Sequence, residues 1–160
     1  MEENTLAEEQ VNLFDTEVQY TEASQGQRFL NWLIDNLFMR FALNYAIGYA
    51  VGYLLLAIAP DFLMEIAYGD RGWRFWTLAY VVFIFNYVVY YTICEKAFKG
   101  YTLGKLLTGT RAIRNDGTEL TFKDAILRSL SRMVPFEVLS GFGSRPWHDS
   151  WTDTTVVKTR

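Results

Sequence analysis

The chain has 160 residues and a formal net charge of −3; 51% of its residues are hydrophobic and 17% aromatic. That composition fits one small membrane domain flanked by polar segments. A lone cysteine, Cys94, excludes an intramolecular disulfide, and a lone histidine, His148, excludes a histidine-rich metal site. No metal and no cofactor is expected.

Residues 1–25 form an acidic tail. Glu2, Glu3, Glu8, Glu9, Asp15, Glu17 and Glu22 occur there without any lysine or arginine. So little apolar surface does not offset chain entropy, which predicts a mobile tail. Val11, Leu13, Phe14, Val18 and Tyr20 could still dock on another surface as a short strand. The acidic start shows no secretory leader pattern. Residues 26–160 are then expected to form a single membrane domain.

The first long apolar stretch runs over about residues 28–59. Its second half, 41–59, has no charge, which meets the roughly 20-residue requirement for a membrane-spanning helix. Its first half places Arg28, Asn31 and Asp35 on one helical stripe, and Asn36, Arg40 and Asn44 on another. Ionisable groups are costly inside a bilayer, so their presence points to function or to pairing within the protein. Counting back from Pro60 at the outer end puts Arg40 near the inner edge, with Asp35 and Arg28 further toward the cytoplasm. The helix either continues into the interface or bends near Asn44 and Gly48.

Pro60 ends this helix, and residues 60–71 predict a short amphipathic turn lying on the membrane. A second spanning helix is expected over about residues 73–96. Its apolar stretch to Cys94 holds Asn86 as the most polar side chain, with Trp73, Trp76, Tyr90 and Tyr91 toward its ends. Lys96, Lys99, Lys105, Arg111, Arg114, Lys123, Arg128 and Arg132 then follow. The positive-inside rule therefore predicts a multi-pass protein of the cell's inner (cytoplasmic) membrane with both termini in the cytoplasm.

Beyond residue 100, residues 101–105 (YTLGK) predict a turn or short helix, and Leu107 to Arg114 alternates like a strand. Residues 115–118 (NDGT) are a tight-turn signal. Thr121-x-x-Asp124 is a capping box with aspartate in place of glutamate, so a helix should begin there. Phe122, Ile126, Leu127, Leu130, Met133 and Val134 form its apolar stripe. Lys123, Arg128 and Arg132 lie elsewhere on it, which suits an interfacial helix held by anionic lipid headgroups. Residues 135–142 are too short to span a membrane. Residues 154–158 read as a strand that pairs with Leu107 to Arg114. The predicted fold is an all-α membrane hairpin of two transmembrane helices, with an interfacial amphipathic helix and a small cytoplasmic β element.

The order of these motifs resembles the RDD family of small membrane proteins over about Gly26 to Lys158. The resemblance is carried by Arg28 opening a membrane helix, Asp35 seven residues along it, residues 102–105 (TLGK), 109–111 (GTR), Asp116-Gly117, Leu127-Arg128, His148-Asp149 and residues 154–157 (TTVV). The family's arginine and two aspartates map to Arg28, Asp35 and Asp149. The sequence departs from the pattern by lacking a long third apolar segment before His148.

The resemblance implies a transport role tied to sodium/proton exchange. A carboxylate in a half-dry vestibule can alternate between proton and sodium, because desolvation favours its neutral form and a bound cation its charged form. Asp35 is the candidate for that role; in the alternative it is permanently paired with Arg28, Arg40 or Arg128. The geometry on paper pairs Arg28 with Asp149, and Asp35 with Arg128 or Arg132. Two helices enclose no aqueous path, so transport requires a homo-oligomer or a larger membrane complex. The small residues of Gly48-x-x-x-Gly52 allow close helix contact. The other function class is a structural or regulatory subunit that recruits partners through its cytoplasmic face.

An enzyme is not expected. His148 beside Asp149 and Ser150 is adjacency without a triad's geometry. Residues 141–143 (GFG) lack the lysine of a phosphate loop. The basic face suits lipid, and no nucleic-acid partner is expected.

Overall fold

The computed structural model describes residues 20–69, 72–141, 143 and 145–159. The tail residues Val11, Leu13, Phe14 and Val18 lie outside them. The first long helix starts at Ser24, whose hydroxyl accepts from the Gln27 amide while the Gln27 side chain accepts from the Ser24 amide. This reciprocal cap satisfies two otherwise unpaired backbone donors. It opens α1 (Gln25–Phe38), which passes through one π-helical turn at Met39–Leu43 into α2 (Asn44–Ile58). Of the two expected courses, continuation or a bend near Asn44 and Gly48, the helix takes the first, as one 34-residue unit from Gln25 to Ile58 with the π-helical turn just before Asn44.

Proline at the first helical position then opens α3 (Pro60–Tyr68), where its missing N–H costs nothing. The second long helix is α4 (Trp73–Ala97). Both it and the α1–α2 unit are long and apolar enough to cross a membrane. A polar contact joins them midway: the Asn86 amide donates to Asn44 Oδ1 at 3.0 Å. Below it, Met39, Tyr87, Tyr90 and Tyr91 form a small apolar core.

The expected strand over Leu107 to Arg114 is shorter. Thr102 caps α5 (Leu103–Thr108), and Gly109 ends it in the left-handed conformation, φ 66° and ψ 41°. Leu106 and Leu107 are consequently helical and exposed. The strand itself is β1 (Thr110–Arg114), antiparallel to β2 (Thr154–Lys158) with Ala112 opposite Val156. Asp116 accepts from the Thr118 amide and hydroxyl and so closes the tight turn. On the other edge of β2, the Ala23 amide donates to Val156 O and the Lys158 amide to Thr21 O, each at 2.8 Å.

The capping box of Thr121 and Asp124 opens α6 (Phe122–Ser131) as expected. Two short helices follow, α7 (Glu137–Ser140) and α8 (Trp147–Ser150). The polarity of α6 is reversed relative to a helix on a water-soluble core. Ala125, Arg128, Ser129 and Ser131 are buried, whereas Phe122, Leu127, Leu130 and Val134 are exposed. The same holds for α1, whose buried residues are Asn31 and Asp35. Among the described residues the buried polar side chains outnumber the buried apolar ones. A chain that hides its polar groups and exposes its apolar ones has the surface of a protein solvated by lipid.

Candidate functional site

The polar interior gathers where α1, the end of α4, α5, α6 and α8 meet. Gly104 lets α5 lie against α1: a Cβ there would sit 2.3 Å from the Asn31 carbonyl oxygen and 2.8 Å from its Cα. Asn31 completes the contact by donating to Thr110 Oγ1 at 2.9 Å and accepting from Thr108.

Glu95, in the last turn of α4 and fully buried, is the hub. It accepts from Lys105 Nζ at 2.6 Å, Arg132 Nη2 at 2.7 Å and Arg128 Nε at 2.9 Å. Arg132 also lies over the Tyr91 ring, 4.3 Å from its centroid, a cation–π contact. Arg128 bridges two carboxylates. Its Nη1 donates to Asp149 Oδ1 at 2.6 Å and to the Thr154 hydroxyl. Asp149 accepts in turn from Arg28, which also donates to the Ala23 and Val156 carbonyls. Charges taken so far out of water persist only when others neutralise them and hydrogen bonds satisfy them; this network pairs each of these charges with an opposite one and leaves two guanidinium nitrogens, Arg128 Nη2 and Arg132 Nη1, without an acceptor among the described residues.

Burial pushes the Asp149 carboxyl upward, but Arg128, His148 and Arg28 outweigh it and hold it well below its ordinary range. A carboxylate so depressed contributes stability that is full above its unfolded value of 3.8. That stability is lost as pH falls from there toward the folded value. Lys105 behaves oppositely: burial outweighs the attraction of Glu95 and lowers its ammonium to about 8. Burial likewise lowers His148, helped by Arg132, so its imidazole is neutral at pH 7. His148 bonds Glu137 through Nδ1.

Asp35 stands apart from these pairs. It is 1% exposed. It accepts from the Thr102 hydroxyl at 2.7 Å, and from the Tyr90 hydroxyl and the Gly104 amide at 2.8 Å each. The pairing of Arg28 with Asp149 is as the sequence suggests, but that of Asp35 with Arg128 or Arg132 is overturned. Glu95 takes both guanidinium groups, so Asp35 is left with neutral donors. Permanent pairing of Asp35 with Arg28, Arg40 or Arg128 is excluded too, since none of them bonds it. Arg40 is exposed and makes no hydrogen bond or ion pair among the described residues. Arg128 and Arg132, expected to face lipid headgroups, are instead consumed inside the protein.

Sequence reasoning missed Glu95, Lys105, Tyr90, Thr102 and Glu137. The available signal was a glutamate closing an apolar helix with a Thr-Leu-Gly-Lys segment directly after it.

A helical chain with two bilayer-length helices and a buried ion cluster at one end of them defines a small membrane protein. The chain matches the RDD family over residues 22–151 and belongs to that family. Arg28, Asp35 and Asp149 all fall within the matched span. No curated protein and no solved structure matches the chain.

Proposed function

We propose that this protein is an ion-coupled transport component of the cytoplasmic membrane that works as an oligomer, with Asp35 taking up and releasing the coupling proton or sodium ion. One observation carries this reading. Glu95 and Asp149 bond cationic side chains and Glu137 bonds an imidazole, whereas Asp35, among the described residues, bonds only two hydroxyls and an amide. Neutral donors orient a carboxylate without cancelling its charge, which leaves it free to exchange a proton or a small cation. Two helices enclose no aqueous path, so the pathway needs further copies of the chain. The α2 face at Gly48 and Gly52 suits such contact: nothing lies within 4 Å of a Cβ built at either position.

Vesicles containing only the purified protein provide the test, with an internal pH dye and radioactive sodium as readouts. The expected result is flux in the wild type that is lost in Asp35→Asn while the protein stays folded. Silent vesicles, or equal flux in the variant, would overturn the reading. Silence would favour a structural or regulatory subunit that engages partners through its polar end. The observation behind that alternative is the ion network that clamps α6 and α8 rigidly onto both long helices.

A further inference from the structure

Two guanidinium nitrogens in the cluster have no hydrogen-bond partner among the described residues: Arg128 Nη2 and Arg132 Nη1, both buried. Arg132, with a side chain only 7% exposed, borders a cavity of about 60 Å³. Lys105, Arg28, Asn31, Asp35 and His148 line the same space. Lys105 Nζ spends two of its three donors on Glu95 and the Gly100 carbonyl. Two of the charged groups around this cavity, Arg132 and Lys105, thus keep unspent donors.

A buried, charged donor without an acceptor carries its full desolvation cost, so an acceptor belongs there. The volume is several times the roughly 10–15 Å³ that admits one water. The cluster's charges specify the acceptor further. Leaving the exposed Glu22 to solvent, the cations Arg28, Lys105, Arg128 and Arg132 are matched in number by the buried carboxylates Glu95, Asp149, Glu137 and Asp35, with His148 neutral. If Asp35 is protonated, one positive charge is left over. An anion satisfies cationic donors more strongly than a neutral water does.

We propose that this cavity binds one small monovalent anion of halide size, taken up together with a proton on Asp35. The anion and the ionised Asp35 answer the same surplus charge, so each disfavours the other. Access runs through a neighbouring cavity of about 380 Å³ that shares Arg28, Trp32, Glu137, Pro146 and His148 with the small one. The groups that set the field at Asp35 come from every surrounding element. They are Arg28 on its own helix, Tyr90, Tyr91 and Cys94 on α4, and Lys105 on α5. Arg132 after α6, Glu137 of α7 and His148 of α8 complete the set. The inference goes beyond the transport reading, because it concerns occupancy and holds whether or not ions cross.

The test uses the purified full chain in detergent at constant ionic strength, with sodium chloride or bromide replacing sodium gluconate. Gluconate is too large for the cavity. Thermal unfolding should rise saturably with either halide and not with gluconate. Halide affinity should tighten about tenfold per pH unit downward wherever Asp35 is ionised in the free protein, as uptake of one proton requires. Asp35→Asn should flatten that dependence, and Arg132→Lys should abolish saturation. Equal stability in halide and gluconate at every pH would show water alone in the cavity and overturn the proposal. An unchanged halide response in Arg132→Lys would overturn it too, as a general salt effect. An unchanged pH slope in Asp35→Asn would reject the accompanying proton. If the variants do not fold, anomalous scattering from bromide-grown wild-type crystals decides: a peak beside Arg132 supports the site, and its absence rejects it.

Discussion

At the scale of single residues, the buried charges differ in how many partners each would strand if removed. Asp149 compensates both Arg28 and Arg128, whereas Arg28 compensates Asp149 alone among buried groups; Glu22, its other ion-pair partner at 3.7 Å, is largely exposed. Losing one member of a buried pair costs about 3–5 kcal/mol, mostly because the other charge is left uncompensated. Asp149→Ala should therefore sit at the upper end of that range, since it strands Arg28 and takes from Arg128 one of its two carboxylates, and Arg28→Ala at the lower end, since Asp149 keeps Arg128. The double variant should cost little more than Asp149→Ala. Chemical unfolding in detergent measures all three, and additive losses would contradict a shared pair. Arg28 and Asp149, 121 residues apart, were legible as partners because the topology expected from the sequence brings the loop before the last strand to the polar end of the first helix. Glu95 was not. It closes an apolar run, and its partners Lys105, Arg128 and Arg132 lie 10, 33 and 37 residues away, beyond what local pattern reports.

At the scale of elements, what local chemistry dictates was readable. The capping box at Thr121 and Asp124, the tight turn at 115–118 and both long apolar helices follow from side chains within a few residues of one another. The apolar stripe of α6 was readable too, but not which way its polar face turns. Basic residues on an amphipathic helix ordinarily meet solvent or headgroups, and only Glu95 and Asp149 from other elements draw Arg128 and Arg132 inward. The turn or short helix expected at 101–105 is α5, and the strand expected from Leu107 starts three residues later, because Leu107 and Thr108 fit either periodicity until Gly109 ends the helix. The contact of α5 with α1 rests on Gly104. A methyl group there meets the Asn31 backbone, which cannot rotate away as a flexible side chain would. Gly104→Ala should thus push α5 off α1, destabilise the chain by roughly 1–3 kcal/mol, the usual cost of overpacking, and loosen the Thr102 and Gly104 bonds to Asp35. Faster amide exchange at Gly104 than in the wild type would reveal that loosening, and unchanged exchange and stability would contradict it.

At the scale of the whole molecule, the exposed apolar belt of the long helices and the reversed polarity of α6 place the ion cluster at one end of a body with an apolar surface. From the basic residues after α4 and the positive-inside rule, we propose that this end faces the cytoplasm. In intact cells, a cysteine at Glu65 in α3 should react with an impermeant reagent added outside, and a cysteine at Ser150 in α8 should not. Reaction at Ser150 from outside would reverse the orientation. The π-turn at Met39–Leu43 divides this body into two mechanical parts. Fitting one additional residue into a turn rotates everything beyond it by about 100°. Through that single turn, the azimuth of α2 is set independently of α1, whose own orientation is fixed by Asn31 and Asp35. Rewinding those residues as regular α-helix, with none removed, would leave the buried ions in place and swing the Gly48–Gly52 face about a quarter of the way around the helix axis, so the turn is the index that determines which side the protein shows to its neighbours.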